Sequence, residues 1–176
     1  MDDNSDVPGG AQTVCRWIEM LEEADRPEKL WWSLDANLQL VLAQQWLFGP
    51  GSQHSSHDEG SRDDLAEELS SSTSHELFEP MIRDYIAHWR EVYRALDYRP
   101  ALVMTPDLAG VDLEVVSVTS DHYAGTKAAG ESAPGHTFLT RWVDGQWKIA
   151  AHSRRIPVPG WPPTEEEIPG LRVDGN

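Results

Sequence analysis

One stretch limits the possible folds of this chain more than any other. From His136 to Pro162, two runs rich in aromatic and β-branched residues meet at Asp144 and Gly145. An Asp-Gly pair accepts the positive φ angles of a two-residue type I′ turn, so the runs are predicted to form a β-hairpin of fixed register. Counting outward from the turn sets Val143 opposite Gln146, Trp142 opposite Trp147, Arg141 opposite Lys148 and Thr140 opposite Ile149. Strict alternation then puts Phe138, Thr140, Trp142, Trp147, Ile149 and Ala151 on one face. The second face carries Leu139, Arg141, Val143, Gln146, Lys148, Ala150, His152 and Arg154. The first face is apolar enough to need a cover, and a core role predicts that Trp147→Ala costs about 3 to 5 kcal/mol.

The cover must come from earlier in the chain, where the periodicity is helical. Val14, Trp17, Ile18 and Leu21 have the spacing of one helix face from about Gln12 onward. Asp25 and Pro27 suggest the cap and first turn of a short helix through Trp31 and Trp32. A third helix is expected from Ser33, with Leu34, Leu38, Val41, Leu42 and Gln45 on its inner face and Gly49-Pro50 as its stop. Residues 49–62 contain no apolar side chain and are expected to be a flexible loop, followed by a short acidic helix over 63–69. Thr73 and Glu76 have the spacing of a capping box ahead of the longest helix. Its stripe of Leu77, Met81, Ile82, Tyr85, Ile86, Trp89, Val92, Tyr93 and Leu96 is the natural cover for Trp142 and Trp147. After Pro100 the period changes from 3.6 to 2, with strands expected over 101–105 and 111–119. Helices first and an antiparallel sheet last make an α+β domain.

A chain of 176 residues suits a single domain with tails. The expected division is a disordered tail over 1–10, one domain over 11–163 and an acidic tail over 164–176. The formal net charge of -16 opposes binding to nucleic acid or to an anionic membrane surface. Residues 136–158 run against that trend: Arg141, Lys148, Arg154 and Arg155 face only Asp144, which suits either an anion site or ion pairs with acidic neighbours in the fold. A lone Cys15 excludes an internal disulfide, and with no signal-like segment the expected location is the cytoplasm.

Candidate chemistry is sparse. Asp121 and His122, just past a strand, could form an acid/base pair at a pocket mouth or a plain polar turn. His88 and Tyr85 share the inner side of the long helix, where each is either a pocket group or a satisfied boundary residue. His54, His57, Asp58 and Glu59 carry metal-binding atoms but lie in a Gly/Ser-rich loop, so no metal site is expected. No phosphate loop, CxxC, HExxH or nucleophile elbow is present, and no cofactor is expected.

Three amphipathic helical segments, then a curved antiparallel sheet ending in F-L-x-R-W-x-D-G-x-W-K-I-A, resemble the NTF2-like (SnoaL-like) superfamily with its cone fold. The resemblance is closest to uncharacterised actinobacterial members with a similar ending, here Ser153 to Pro163. It implies a pocket between sheet and helices, lined in this chain by Tyr85, Trp89, Phe138, Trp142 and Trp147. It also implies either a non-catalytic pocket or interaction domain, with or without a small apolar ligand, or a cofactor-independent isomerase, cyclase, dehydratase or hydrolase with an acid/base pair in the cone. No catalytic motif of those enzymes can be laid on this chain residue by residue. A homodimer through the sheet is expected from the mixed second face, where Asp112 and Glu114 would match the basic strip.

Overall fold

A computed structural model describes residues 9–23, 25–54, 59–95, 102–104, 112–119 and 135–154. Five helices precede the sheet: α1 (Gly10–Glu23), α2 (Pro27–Trp32), α3 (Ala36–Phe48), α4 (Glu59–Ser71) and α5 (Phe78–Ala95). Strands β1 (Leu102–Met104), β2 (Leu113–Thr119), β3 (Gly135–Val143) and β4 (Gln146–Ser153) form one antiparallel sheet in chain order, so the architecture is α+β. No helix among the described residues is long and apolar enough to cross a membrane.

The hairpin turns as its chemistry requires, with φ of 50° at Asp144 and 78° at Gly145. All four cross-strand pairs counted from the turn are present. Beyond Thr140 the register departs from simple alternation. Leu139 faces Ala151 while Thr140 faces Ile149, which leaves Ala150 as an extra residue in β4. A one-residue shift moves every following side chain to the other face. His152 therefore faces Phe138 on the covered side, and Ala151 moves to the second face, the reverse of the expected assignment.

Cover comes chiefly from α1, which packs against β2, β3 and β4. Val14, Trp17, Ile18 and Leu21 are all buried, as their spacing predicts. The start of α1 is pinned from the sheet: the Gly10 N–H donates to Glu114 Oε2 at 2.7 Å, placing a carboxylate at the positive helix end. Helix α5 covers the other end of the same face, through Tyr85, Trp89 and Tyr93, and does not bury the Trp142–Trp147 pair. Those two rings meet edge to face at 5.6 Å and stay half-buried, so they are not the core pair the alternation suggested. The core is built instead around Trp17, Trp31 and Phe138.

Helix α3 buries Gln39, Ala43, Trp46 and Leu47, and turns Val41 and Gln45 to solvent, contrary to the expected face. It is apolar on nearly every side, so its sequence carries little phase information; the position is chosen by polar contacts. Asp35 caps it by accepting from the Asn37 N–H at 2.9 Å, and the Gln39 side-chain amide donates to Trp31 O at 2.8 Å. Leu34 lies outside the helix. Residues Ser33 to Asp35 run along the outer edge of β4, exchanging backbone hydrogen bonds with Ile149 at 2.9 and 2.8 Å.

Other helix starts also differ from expectation. Arg26, not Asp25, precedes α2, and Pro27 takes the first helical position without a side-chain cap. Ahead of α5 the His75 ring accepts from the Leu77 N–H at 3.1 Å, in place of a Thr73–Glu76 box. Helix α4 starts at Glu59, inside the stretch expected to be loop, and the turn Ser52–His54 stacks His54 on Trp46. The second sheet face is partly covered as well: Val115 is 1% exposed and Leu139 8%. Arg141 on that face lies 3.9 Å from the Asp35 carboxylate, and the Lys148 ammonium donates to Trp32 O, so these two cations of the basic strip find partners within the chain.

Candidate functional site

Alternation on β3 brings His136 to the face that already holds Phe138, and the extra residue in β4 brings His152 to meet both. Helix α5 adds Tyr85, Trp89 and Tyr93, one turn apart along its inner side. Trp17 stands at the centre, with ring centroids of all six neighbours between 5.3 and 6.4 Å away. The Trp89 ring stacks on His136 at 4.7 Å.

Within this cage four polar side chains form a continuous series. The Tyr93 hydroxyl lies 2.5 Å from His136 Nδ1, His136 Nε2 lies 2.9 Å from His152 Nδ1, and His152 Nε2 lies 3.0 Å from the Tyr85 hydroxyl. Burial drives His136 down to about 2, with smaller contributions from His152 and Arg154, and drives His152 down to about 3, with a smaller one from His88. Both imidazoles are therefore neutral at physiological pH, each with one N–H and one ring lone pair. The series has a direction for that reason. If Tyr93 donates to His136, then His136 donates to His152, His152 donates to Tyr85, and the Tyr85 proton is left to donate elsewhere; the reverse order uses that proton inside the series. Burial raises the Tyr85 phenol well above its ordinary value. The buried Trp17 indole N–H comes near enough to offset this slightly, yet reaches no acceptor at hydrogen-bonding geometry.

Of the expected pocket residues, Tyr85, Trp89 and Phe138 join this cage, while Trp142 and Trp147 lie apart from it. These two tryptophans form one wall of a surface groove of about 910 Å³ between α1, α2 and the hairpin tip. Thr13, Arg16, Glu19, Met20 and Glu23 line it from α1, Lys29 and Trp32 from α2, and Lys148 from β4. Trp32 is 42% exposed, and burial lowers the Lys148 ammonium from its usual value against the opposing pull of Asp35. His88 is exposed, edge-on to Trp89, outside the cage. Asp121 and His122 lie outside the described residues. Burial, then Glu19, raises the Cys15 thiol, which opposes a reactive thiolate. No cluster of three or more metal-binding side chains occurs among the described residues.

His136 and His152 were not among the expected site residues. His136 was legible from parity, since it shares a face with Phe138 and Trp142 on any straight strand. His152 was not, because its face depends on the extra residue. Comparison with family models, with curated proteins and with solved structures gives no match.

Proposed function

We propose that this chain is a non-catalytic NTF2-like pocket domain that binds a small, largely apolar ligand in the groove between α1, α2 and the hairpin tip. In this reading the helices and sheet form the cone of that superfamily, the protein is cytoplasmic, and no cofactor is needed. The observation that carries it is the place of Trp142 and Trp147, which stand half-exposed in the wall of a groove of about 910 Å³ instead of filling the core. That volume lies within the range of small-molecule sites, and Trp32, Trp142 and Trp147 supply an aromatic wall beside charged side chains from α1, α2 and β4 that could fix a polar end of the ligand. The interior that an acid/base enzyme of this type would use is occupied by rings, and its two imidazoles spend their hydrogen bonds on each other and on two phenols.

The test is titration with the neutral fluorophore N-phenyl-1-naphthylamine. Saturable binding that Trp142→Ala and Trp147→Ala each weaken at least about tenfold, a change of 1.4 kcal/mol, supports the groove. Binding that neither variant alters refutes it. One observation favours the enzymatic reading: the buried Trp17 N–H without an acceptor lies beside Tyr85, whose hydroxyl keeps a hydrogen bond to donate in one of the two orders of the series. Proton exchange next to the carbonyl of cyclohexanone in D2O, lost in Tyr85→Phe, would establish that chemistry.

A further inference from the structure

The groove between α1, α2 and the hairpin tip carries charge of both signs, and burial sorts the two. Its carboxylates, Glu19, Glu23 and Asp25, are all exposed, and so are Arg16, Arg26 and Lys29. Lys148 is the one charged side chain of the lining that is half-buried. Its ammonium reaches along the outer edge of β4, where residues 33–35 run, and donates to the carbonyl of Trp32, itself a lining residue. That carbonyl takes one of three N–H groups, and no carboxylate among the described residues lies within ion-pairing distance of the ammonium. Asp35 acts on it only from further off, and already accepts from the Asn37 N–H and stands 3.9 Å from Arg141. Burial therefore prevails and lowers the ammonium from its usual value. A partly desolvated cation with no counter-ion beside it is stabilised by an anion that reaches it.

We propose that the ligand of this groove is a flat aromatic monocarboxylic acid, its rings against Trp142 and Trp147 and its carboxylate on the Lys148 ammonium. The proposal rests on the groove being the ligand site argued above, and adds the charge of the ligand. The two tryptophans meet at 63°, so a planar ring that lies on one meets the other with its edge. Lys148 follows Trp147 in β4 and stands beside that corner. The lining holds one more cation than carboxylates, in a chain whose formal charge is -16, so an anion meets less repulsion here than over the rest of the surface. A cationic ligand would stack on the same rings, but it would set a like charge against Lys148, and the exposed carboxylates, well solvated, would repay it little. A single half-buried ammonium matches a single negative charge, which favours a carboxylate over a phosphate.

Calorimetric titration of the full chain with three naphthalenes of one shape tests this: 2-naphthoate, 2-naphthylmethanol and 2-naphthylmethylammonium. Naphthoate should bind tightest, at least about tenfold ahead of the alcohol at physiological salt, with the ammonium weakest. At about 1 M salt at least about threefold of that advantage should remain, because a half-buried pair is screened less than exposed charges. Lys148→Gln keeps a donor for Trp32 O and removes the charge. It should bring naphthoate down to the level of the alcohol and leave the alcohol within about twofold of its affinity for the parent. The salt series uses the parent chain alone, so it decides the matter even if Lys148→Gln fails to fold. Equal binding of acid and alcohol, tighter binding of the ammonium, an advantage that high salt abolishes, or one that a folded Lys148→Gln leaves intact would each overturn the proposal. Absence of binding by all three, or binding that Trp147→Ala does not alter, would instead refute the groove itself, and the proposal with it.

Discussion

Acidification should unfold this protein through two particular histidines. His136 and His152 are held near 2 and 3 in the fold, against about 6.5 for an unfolded histidine. Folded values below unfolded ones mean that the unfolded chain binds more protons, so their contribution is complete above pH 6.5 and declines as pH falls toward 3. Between pH 7.5 and 5.5 an unfolded histidine gains about 1.4 kcal/mol by protonation that its folded counterpart does not. Two such groups give a loss of about 3 kcal/mol. With a urea slope of about 2 kcal/mol per molar for a domain of this size, the unfolding midpoint should fall by about 1.3 M. Equilibrium urea unfolding followed by tryptophan fluorescence measures this, at pH values that stay above the isoelectric point of about 4.6. The control is the double variant His136→Asn/His152→Gln, which starts less stable but lacks both titrating rings. Its midpoint should move about 1.3 M less than that of the parent over the same interval. Equal shifts in the two proteins would show that the imidazoles are not kept neutral by the fold, and the directional hydrogen-bond series would go with them.

Four further outcomes are expected. Tyr93→Phe leaves the buried His136 Nδ1 without its phenol and should cost about 1 to 3 kcal/mol in urea unfolding. Gly10→Ala brings a methyl to 2.0 Å from Thr140 Oγ1 and 2.6 Å from Glu114 Oε2, so the start of α1 must move; a loss of about 1 to 3 kcal/mol is expected, and an unchanged thermal midpoint would mean that this end of α1 is not docked. Trp147→Ala should cost about 1 to 2 kcal/mol, less than the 3 to 5 of a core tryptophan, because the ring is half-exposed. Deleting Ala150 should return His152 to the second face, abolish the pH dependence it supplies, and shift the ring-proton resonances of His136.

Much of the architecture could be read from local chemistry, and the parts that could not share a cause. Val14, Trp17, Ile18 and Leu21 were legible because charged residues on the other faces of α1 give the pattern a phase. Helix α3 lacks such a contrast, so the choice between its Leu38/Val41 and Ala43/Trp46 faces passes to Asp35, Gln39 and the docking of Trp46, whose indole N–H donates to Asp84. The hairpin was legible outward to Ile149 because Asp144 and Gly145 fix its origin. It became illegible at Ala150, since an alanine before another alanine carries no mark of an inserted residue. The site fell on the wrong side of that boundary. Asp121 and His122 drew attention because they are adjacent in sequence, whereas the polar series joins residues from α5, β3 and β4, as far as 67 positions apart. Burial and face, not local spacing, decide which imidazoles meet.

The strip from Ser33 to Asp35 on the edge of β4 has a consequence in time. Leu34 and Ile149 lie about 115 residues apart, so at common rates of translation the strand emerges roughly 10 s after its edge partner. During that interval the helices exist without the sheet, so Trp17 lacks Phe138 and Leu34 lacks Ile149. The nascent chain is then at its most adhesive, and its acidic character keeps neighbouring ribosome-bound copies apart. When the hairpin arrives its exposed edge meets a waiting partner from its own chain, and the opportunity for strand exchange between copies closes as soon as it opens.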